Sequence, residues 1–209
     1  GGDPRRTSLI TAASNRSMPG FRNITHFIIG SGDWHFPTKQ ADGVELTNRC
    51  TSAIIRPADC PVVWIHDARR HRGILFHCGR PAMTPVRKKT GEYTTFVELA
   101  ISRLCDGAPN PQLSAVITGA ICRDCFTHDC IDDESEVGQF RRAFPELNCV
   151  NEATGGLDLV KVIIHQLQQA GVQRADIVHD DICTFEDTRL ASYKRDKTRL
   201  RNPVVAVLH

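Results

Sequence analysis

The sequence lacks a long hydrophobic run. No apolar stretch approaches the roughly 18 residues that a membrane-spanning helix needs, so we expect no membrane partner. The opening residues, GGDPRRTSLITAAS, lack the apolar core of a secretory signal peptide. No G-x-G-x-x-G follows a predicted strand, and no G-x-x-x-x-G-K-[ST] occurs. These absences argue against a membrane span and against a glycine loop that cradles a nucleotide.

The chain also has little net charge. It carries 26 basic and 24 acidic residues, a formal net charge of +2, so its charge gives no sign of nucleic-acid binding. Its 209 residues show no repeat and no low-complexity linker. This length can bury a sizeable core, and we expect residues 1–209 to form a single domain.

Cysteine, in contrast, is abundant. Nine cysteines are an odd number, which a complete set of internal disulfides does not allow. Because no secretory signal is visible, we expect a cytoplasmic protein in a reducing environment, with thiols that are free or bound to metal.

Hydrophobic periodicity predicts a mixed α+β chain. One helix is predicted near Glu92–Cys105, a short one starts near Glu134, and a third around Leu159–Leu167 ends at Gly171. Runs rich in β-branched residues predict strands at Ser8–Ala13, Thr25–Ile29, Ala53–Arg56, Pro61–Ile65, Gly73–His77, Ser114–Ile121, Asp176–Val178 and Val204–Leu208. Since much of the sheet precedes the first long helix, the order favours an α+β layered sandwich over a doubly wound parallel sheet.

Three residues form a candidate metal site. Cys60 precedes one predicted strand, His77 ends the next, and His35 lies in a Gly- and Pro-flanked loop upstream. Two histidines and one cysteine could hold a catalytic zinc with one open position. Cys60 and His77 could equally be a nucleophile with its base, or ordinary packing residues.

The chain resembles the YfiH/YlmD family, known as laccase-like polyphenol oxidases and as purine nucleoside phosphorylases. The family's Q-V-H-G loop is similar to Asp33–Phe36, its A-D-C-L-P-V strand to Ala58–Val63, and its H-A-G-W-R-G turn to His77–Arg80. Its C-terminal signature, C-T followed by S-Y-R-R-D and a later arginine, is similar to Cys183-Thr184, Ser192–Asp196 and Arg201.

The resemblance implies a fold, a cofactor and an activity. The fold would be a layered α-β-β-α sandwich, with mixed sheets flanked by helices. Zinc would be bound by His35, Cys60 and His77. The implied activity is phosphorolysis or deamination of adenosine, inosine or methylthioadenosine, with a nucleoside and phosphate as partners and a monomer or small homo-oligomer as the assembly.

Further roles follow from the chemistry of such a site. Arg80, Lys194, Arg195 and Arg201 are candidates to bind phosphate, because cationic donors match its oxygens. Asp59 could orient a ligand or act as a base, so Asp59, Cys60 and His77 are the candidate catalytic residues.

The sequence departs from the family pattern in three places, a divergent N-terminus, the second histidine turn and an inserted loop. The turn reads H-C-G-R-P, and an inserted loop carries a second set of candidate ligands, Cys122, Cys125, His128 and Cys130. This loop could hold a structural zinc or carry free thiols.

Three other functions stay open at this level. The first is a copper-dependent polyphenol oxidase, in which Cu²⁺ would replace zinc. The second is a metal-free cysteine hydrolase or deamidase that uses Cys60 and His77. The third is a non-catalytic divergent homologue.

Overall fold

The fold is described from a computed structural model of the chain. It covers residues 42–47, 51–107 and 111–208, together with the backbone of two strands at Ser8–Ala12 and Thr25–His26. The strands in chain order are β1 (Ser8–Ala12), β2 (Thr25–His26), β3 (Gly43–Leu46), β4 (Thr51–Ile55), β5 (Val62–Asp67), β6 (Arg72–His77), β7 (Val86–Arg87), β8 (Tyr93–Thr94), β9 (Leu113–Thr118), β10 (Val150–Asn151), β11 (Gly156–Leu157), β12 (Ile177–His179) and β13 (Val204–Leu208).

The described residues form both α-helices and 3₁₀ turns. The helices are α1 (Arg80–Met83), α2 (Phe96–Cys105), α3 (Glu136–Ala143), α4 (Leu159–Gln169) and α5 (Tyr193–Asp196), with short 3₁₀ turns at Pro145–Leu147 and Arg174–Asp176. None of the helices in the described part of the chain is long and apolar enough to cross a membrane.

Two sheets form the centre of the molecule. The larger has six strands in the order β12-β9-β5-β6-β3-β2, and the smaller has three in the order β1-β4-β13. Both sheets are mixed: β5 is antiparallel to β6 and β9, whereas β9 is parallel to β12 and β1 is parallel to β4. The α+β class is therefore confirmed.

The six-stranded sheet buries a different core on each face. On one face, Val63, Ile65 and Phe76 pack with residues of α2, α3 and α4. On the other face, Val62 and Leu75 pack against residues of β4 and β13, the smaller sheet. This alternation along β5 and β6 follows from the two-residue period of a strand. The order of layers is helices, large sheet, small sheet. A second helical layer, beyond the small sheet, stays a prediction, because α2, α3 and α4 all pack on the first face.

Local sequence signals explain where the helices begin and end. The side chains of Thr95, Ser135 and Asp158 each accept a hydrogen bond from a backbone N–H in the first turn of α2, α3 and α4. Gly171 follows α4 with φ of +95°, and the N–H groups of Gly171 and Val172 donate to carbonyls of its last turn. This is the Schellman arrangement, which confirms the predicted glycine stop.

Candidate active site

The antiparallel register of β5 and β6 explains why Cys60 and His77 lie at the same end of the large sheet. Val62, the first residue of β5, pairs with His77, the last of β6, and with Thr118, the last of β9. Asp42 lies at the same edge, since its carbonyl accepts a hydrogen bond of 2.7 Å from the N–H of His77. Loops that leave or enter these strands therefore converge at one end of the large sheet.

A cavity of about 470 Å³ opens at this edge. Its volume lies within the range of small-molecule sites in proteins. Cys60 and His77 both line it. The other lining residues are Asp42, Arg56, Pro57, Ala58, Asp59, Gly79, Arg80, Pro81, Ala82, Phe126, Thr127, His128, Tyr193, Lys194, Lys197 and Arg201. A second depression, of about 540 Å³ near Glu146 and His165, contains no cysteine and gathers no comparable group of basic residues.

Burial keeps Cys60 and His77 uncharged near neutral pH. Burial and the neighbouring Asp59 carboxylate raise the pKa of the Cys60 thiol to about 11, although the charges of Arg80 and Arg201 oppose this. Burial lowers the pKa of the His77 imidazole to about 4. Neutral imidazole is the form that binds metal. Without a metal, a nucleophilic pair would consist of a thiolate on Cys60 and an imidazolium on His77. Burial disfavours both of these charged forms.

The imidazole of His77 packs directly on the backbone of Gly79. A Cβ at Gly79 would lie 2.6 Å from Cε1 of His77, closer than two carbon atoms normally approach. Glycine is required here because of this close approach. Its backbone conformation does not require glycine, since a φ of −65° is open to any residue. The H-C-G turn thus fixes the position of the imidazole at the cavity wall.

Asp59 ties the C-terminal segment to the loop that carries Cys60 and leads into β5. One carboxylate oxygen accepts a hydrogen bond of 2.9 Å from the Thr184 hydroxyl, and the other accepts one of 2.8 Å from the backbone N–H of Lys194. Its own carbonyl accepts from the N–H of Ile121 at 2.9 Å. Both carboxylate oxygens are thus engaged within the protein, which agrees with a positioning role, and the alternative role as a base stays a prediction.

Three of the four predicted phosphate-binding residues line the cavity. Arg80 also pairs with Glu136, Nζ of Lys194 donates to the carbonyl of Thr127, and Arg201 completes the group. Two further cations that the sequence analysis missed, Arg56 and Lys197, line the same cavity. Nothing in the local sequence marks Arg56, which reaches the site only through the fold, whereas Lys197 lies in the basic run between Lys194 and Arg201.

Arg195, the fourth, is not among the lining residues. Its guanidinium donates to the carbonyls of Thr184, Phe185 and Leu190 at 2.7–3.0 Å and to the carboxylate of Asp196 at 2.7 Å. These acceptors occupy the guanidinium fork, so the structure gives Arg195 a role in holding the 184–196 segment instead of the expected contact with phosphate.

The inserted loop contributes to the cavity, a role that the sequence did not reveal. Phe126, Thr127 and His128 line its wall. Nδ1 of His128 lies 3.0 Å from the carbonyl oxygen of Gly155. A Cβ at Gly155 would lie 2.1 Å from the carbonyl oxygen of His128, so the loop packs closely on this glycine.

The four ligands predicted within this loop do not come together. His128 turns toward Gly155, and Cys130 is exposed and donates to Asp132. Cys122 and Cys125 lie instead beside Cys183 and Glu186, and the ligand atoms of these four residues are all within 4.8 Å of one another. The chain therefore has a cluster that could hold a metal ion, with two members from outside the loop.

His35, the third predicted ligand at the cavity, lies outside the described residues. Its participation stays a prediction, as does the ligand set of His35, Cys60 and His77.

Solved structures place this fold in the YfiH-like class. A hypothetical protein YfiH from Bacillus licheniformis has a TM-score of 0.72 and 19% identity, over 95% of this chain and 74% of that protein. YlmD from Geobacillus stearothermophilus has a TM-score of 0.62 and 21% identity, over 79% of this chain and 59% of YlmD. Neisseria meningitidis protein NMB0706 has a TM-score of 0.61 and 17% identity, over 81% and 66% of the two chains.

A match between the sequence and a family model identifies the family. The family model described as "Multi-copper polyphenol oxidoreductase laccase" matches residues 19–206. The chain therefore belongs to this laccase-like family, the YfiH/YlmD family that its motifs resemble. No curated protein is a significant match to the sequence.

Proposed function

We propose that the chain is a zinc-dependent purine nucleoside enzyme that acts in the cavity beside Cys60 and His77. The observation that carries the proposal is the lining of the cavity. A thiol and a neutral imidazole lie in the same wall as five basic side chains, those of Arg56, Arg80, Lys194, Lys197 and Arg201.

The excess of basic side chains suits an anionic partner. Among the described residues, only two acidic ones line the cavity, Asp42 and Asp59, and the carboxylate of Asp59 is engaged by Thr184 and Lys194. Guanidinium and ammonium groups are the usual donors to phosphate oxygens. In phosphorolysis, a phosphate oxygen would bond to C1′ of the nucleoside while the bond from C1′ to the purine nitrogen breaks. The cations would bind and orient that phosphate.

The remaining lining residues suit a flat aromatic base. Phe126 and His128 lie edge to face, with ring centroids 4.6 Å apart, and both line the wall that the inserted loop provides. Tyr193 lines the cavity too. Aromatic side chains bind nucleobases by stacking, which does not depend on one particular base. In deamination, a water oxygen would bond to C6 of adenine and ammonia would leave.

The donors at the cavity fit a zinc ion. Cys60 supplies a sulfur and His77 a nitrogen, both ligand types that zinc accepts, and His35 is the proposed third ligand. Bound there, zinc would supply Lewis acidity toward a water molecule or a substrate oxygen. Gly79 would position His77, and Asp59 would hold the segment that carries Lys194.

The family description favours one other function, copper-dependent phenol oxidation. Multi-copper oxidases need several copper centres and many histidine ligands. Of the histidines in the described part of the chain, only His77 and His128 line the cavity. We therefore rank this function second and include it in the test.

The test is incubation of purified protein with adenosine, with and without phosphate, followed by chromatography of the products. Adenine formed only with phosphate, or inosine formed in either buffer, is the expected result. Oxidation of a phenolic dye by the copper-loaded protein, without nucleoside turnover, would overturn the proposal in favour of the oxidase. No product in any assay would favour a non-catalytic homologue.

Removal of a cavity cation should weaken phosphate binding specifically. We expect Arg80→Gln and Arg201→Gln to raise the KM for phosphate by about tenfold or more, because each removes a charge-assisted hydrogen bond to phosphate. The KM for nucleoside should change less. Arg87→Gln is the matched control, since Arg87 is exposed on β7 and does not line the cavity. An equal rise of the KM for phosphate in all three variants would show that only the overall charge of the protein affects phosphate binding.

Gly79→Ala should displace the His77 imidazole without unfolding the protein. Because the new methyl group would lie 2.6 Å from Cε1 of His77, the ring must move away from its present position. We expect activity and metal affinity at the cavity to fall by about 10–100-fold, the usual effect of misplacing a ligand. Competition with a chelator, alongside circular dichroism, measures this. Unchanged metal affinity in a folded variant would contradict the role of His77 as a ligand.

A further inference from the structure

Three cysteines and one glutamate converge outside the cavity. Cys122 and Cys125 belong to the inserted loop, whereas Cys183 and Glu186 lie 61 residues further along the chain in the segment before α5. The three cysteines are free and partly buried. The proposed activity at Cys60 and His77 uses none of these residues.

The distances within the cluster fit a tetrahedral zinc site. Oε1 of Glu186 lies 3.9 Å from Sγ of Cys122 and 3.6 Å from Sγ of Cys125. Zinc bonds of about 2.3 Å to sulfur and about 2.0 Å to oxygen place such a pair of ligands roughly 3.5 Å apart at the tetrahedral angle. The four side chains therefore need only small movements to close around an ion.

The backbone independently supports a ligand role for both pairs. Each pair has a spacing of three residues, and each sits on a tight turn. The N–H groups of Cys125 and Phe126 donate to the carbonyl of Cys122 at 3.2 and 2.9 Å, and that of Asp187 donates to the carbonyl of Cys183 at 2.9 Å. The N–H of Cys122 also donates to Sγ of Cys183 at 3.3 Å. Such a bond favours the thiolate form, which is the form that binds metal.

We propose that Cys122, Cys125, Cys183 and Glu186 bind a structural zinc ion that joins the inserted loop to the C-terminal segment. Four protein ligands close the coordination sphere, which is typical of structural zinc sites. Three thiolates with one carboxylate suit zinc better than Ca²⁺ or Mg²⁺, which prefer oxygen ligands. The guanidinium of Arg195 donates to the carbonyls of Thr184 and Phe185, between the two C-terminal ligands, and brings positive charge to this anionic cluster.

The ion would set the shape of the cavity wall. Phe126, Thr127 and His128 follow Cys125 directly and line the cavity. On the other side, Lys194 donates to both the carbonyl and the hydroxyl of Thr127. The zinc would therefore fix the two segments whose contact closes this side of the cavity, without touching the substrate.

Metal analysis of variants in a Cys60→Ser background tests the proposal. In a Cys60→Ser background, where the cavity can no longer bind its own ion, we expect one zinc per chain by mass spectrometry. Adding Cys125→Ser or Cys183→Ser should remove this zinc, whereas Cys130→Ser should leave it, because Cys130 lies in the same loop outside the cluster. Cobalt reconstitution of the Cys60→Ser protein should give the absorption of a tetrahedral thiolate site.

The Glu186→Cys variant is a control for the case in which the other variants lose zinc only because they fail to fold. A fourth thiolate should slow the loss of the ion to a chelator by at least tenfold while the fold is kept. The proposal is overturned if the Cys60→Ser protein holds no zinc, or if its zinc survives Cys125→Ser. A disulfide between Cys122 and Cys125 in protein purified under reducing conditions would also overturn it. None of these three results depends on nucleoside turnover, so this proposal and the proposed function can fail separately.

Discussion

Cys60→Ser is expected to remove the metal ion from the cavity and to lower turnover by more than about 100-fold. A serine hydroxyl does not ionise near neutral pH and is a poor zinc ligand, so the change removes one of three proposed ligands with little change in size. Metal content and steady-state kinetics measure the two effects. Cys130→Ser is the control, because Cys130 is exposed and lies outside the cavity and the cysteine cluster.

The outcomes of this experiment separate the alternative functions. Loss of both activity and one zinc per chain supports a metal site at Cys60. Loss of activity with all metal retained would indicate a nucleophilic thiol and a hydrolase, and iodoacetamide should then alkylate Cys60 in the untreated enzyme. Full activity and unchanged metal content in Cys60→Ser would exclude both roles.

Asp59→Ala should have the largest effect on stability. The change leaves two donors without their partner, the buried hydroxyl of Thr184 and the backbone N–H of Lys194. Each unsatisfied donor costs about 1–3 kcal/mol, so we expect a loss of about 3 kcal/mol in the free energy of unfolding. Because Lys194 lies on the segment that Asp59 holds, activity should fall as well. Denaturant unfolding and kinetics measure the two effects.

Asp59→Asn distinguishes positioning from proton transfer. An amide can accept from the N–H of Lys194 through its oxygen and donate to the Thr184 hydroxyl through its nitrogen, so most of the stability should return. If Asp59 only positions the segment, kcat should stay within about tenfold of the wild type. A general base replaced by an amide would lose about 10²–10⁴-fold. A well-folded Asp59→Asn protein without activity would therefore restore the catalytic role that the sequence suggested.

Strong local patterns account for the part of the fold that the sequence predicts. In α4, apolar residues recur at helical spacing and Gly171 ends the helix, so its position follows from neighbours in sequence. Strand β3 was missed because it has only four residues and includes a glutamate. Glu45 is buried there and pairs with Arg72 and Arg103, which lie far away in sequence. A buried charge with distant partners leaves no periodic signal.

The candidate site likewise has a part that the sequence predicts and a part that it does not. Cys60 and His77 could be predicted, because each flanks a recognisable strand and the two strands form a hairpin. The cluster of Cys122, Cys125, Cys183 and Glu186 could not be predicted, since its two pairs lie 61 residues apart and only the fold joins them. Arg195 lies outside the lining of the cavity, and sequence alone does not distinguish a guanidinium that binds carbonyls from one that binds phosphate.

The hydrogen bonds at Asp59 have a consequence for the order in which the protein folds. Thr184 and Lys194 bind a carboxylate 125 and 135 residues earlier in the chain, and Asn202 binds the carbonyl of Ala58 across 144 residues. Contacts of such high sequence separation form slowly, because the entropy of loop closure must be overcome first. During synthesis, a ribosome that has not yet released residue 202 holds a chain in which Val62 and His77 can already pair within the β5–β6 hairpin. The cavity beside Cys60 and His77 can close only afterwards, so the complete cavity forms late in the folding of this chain.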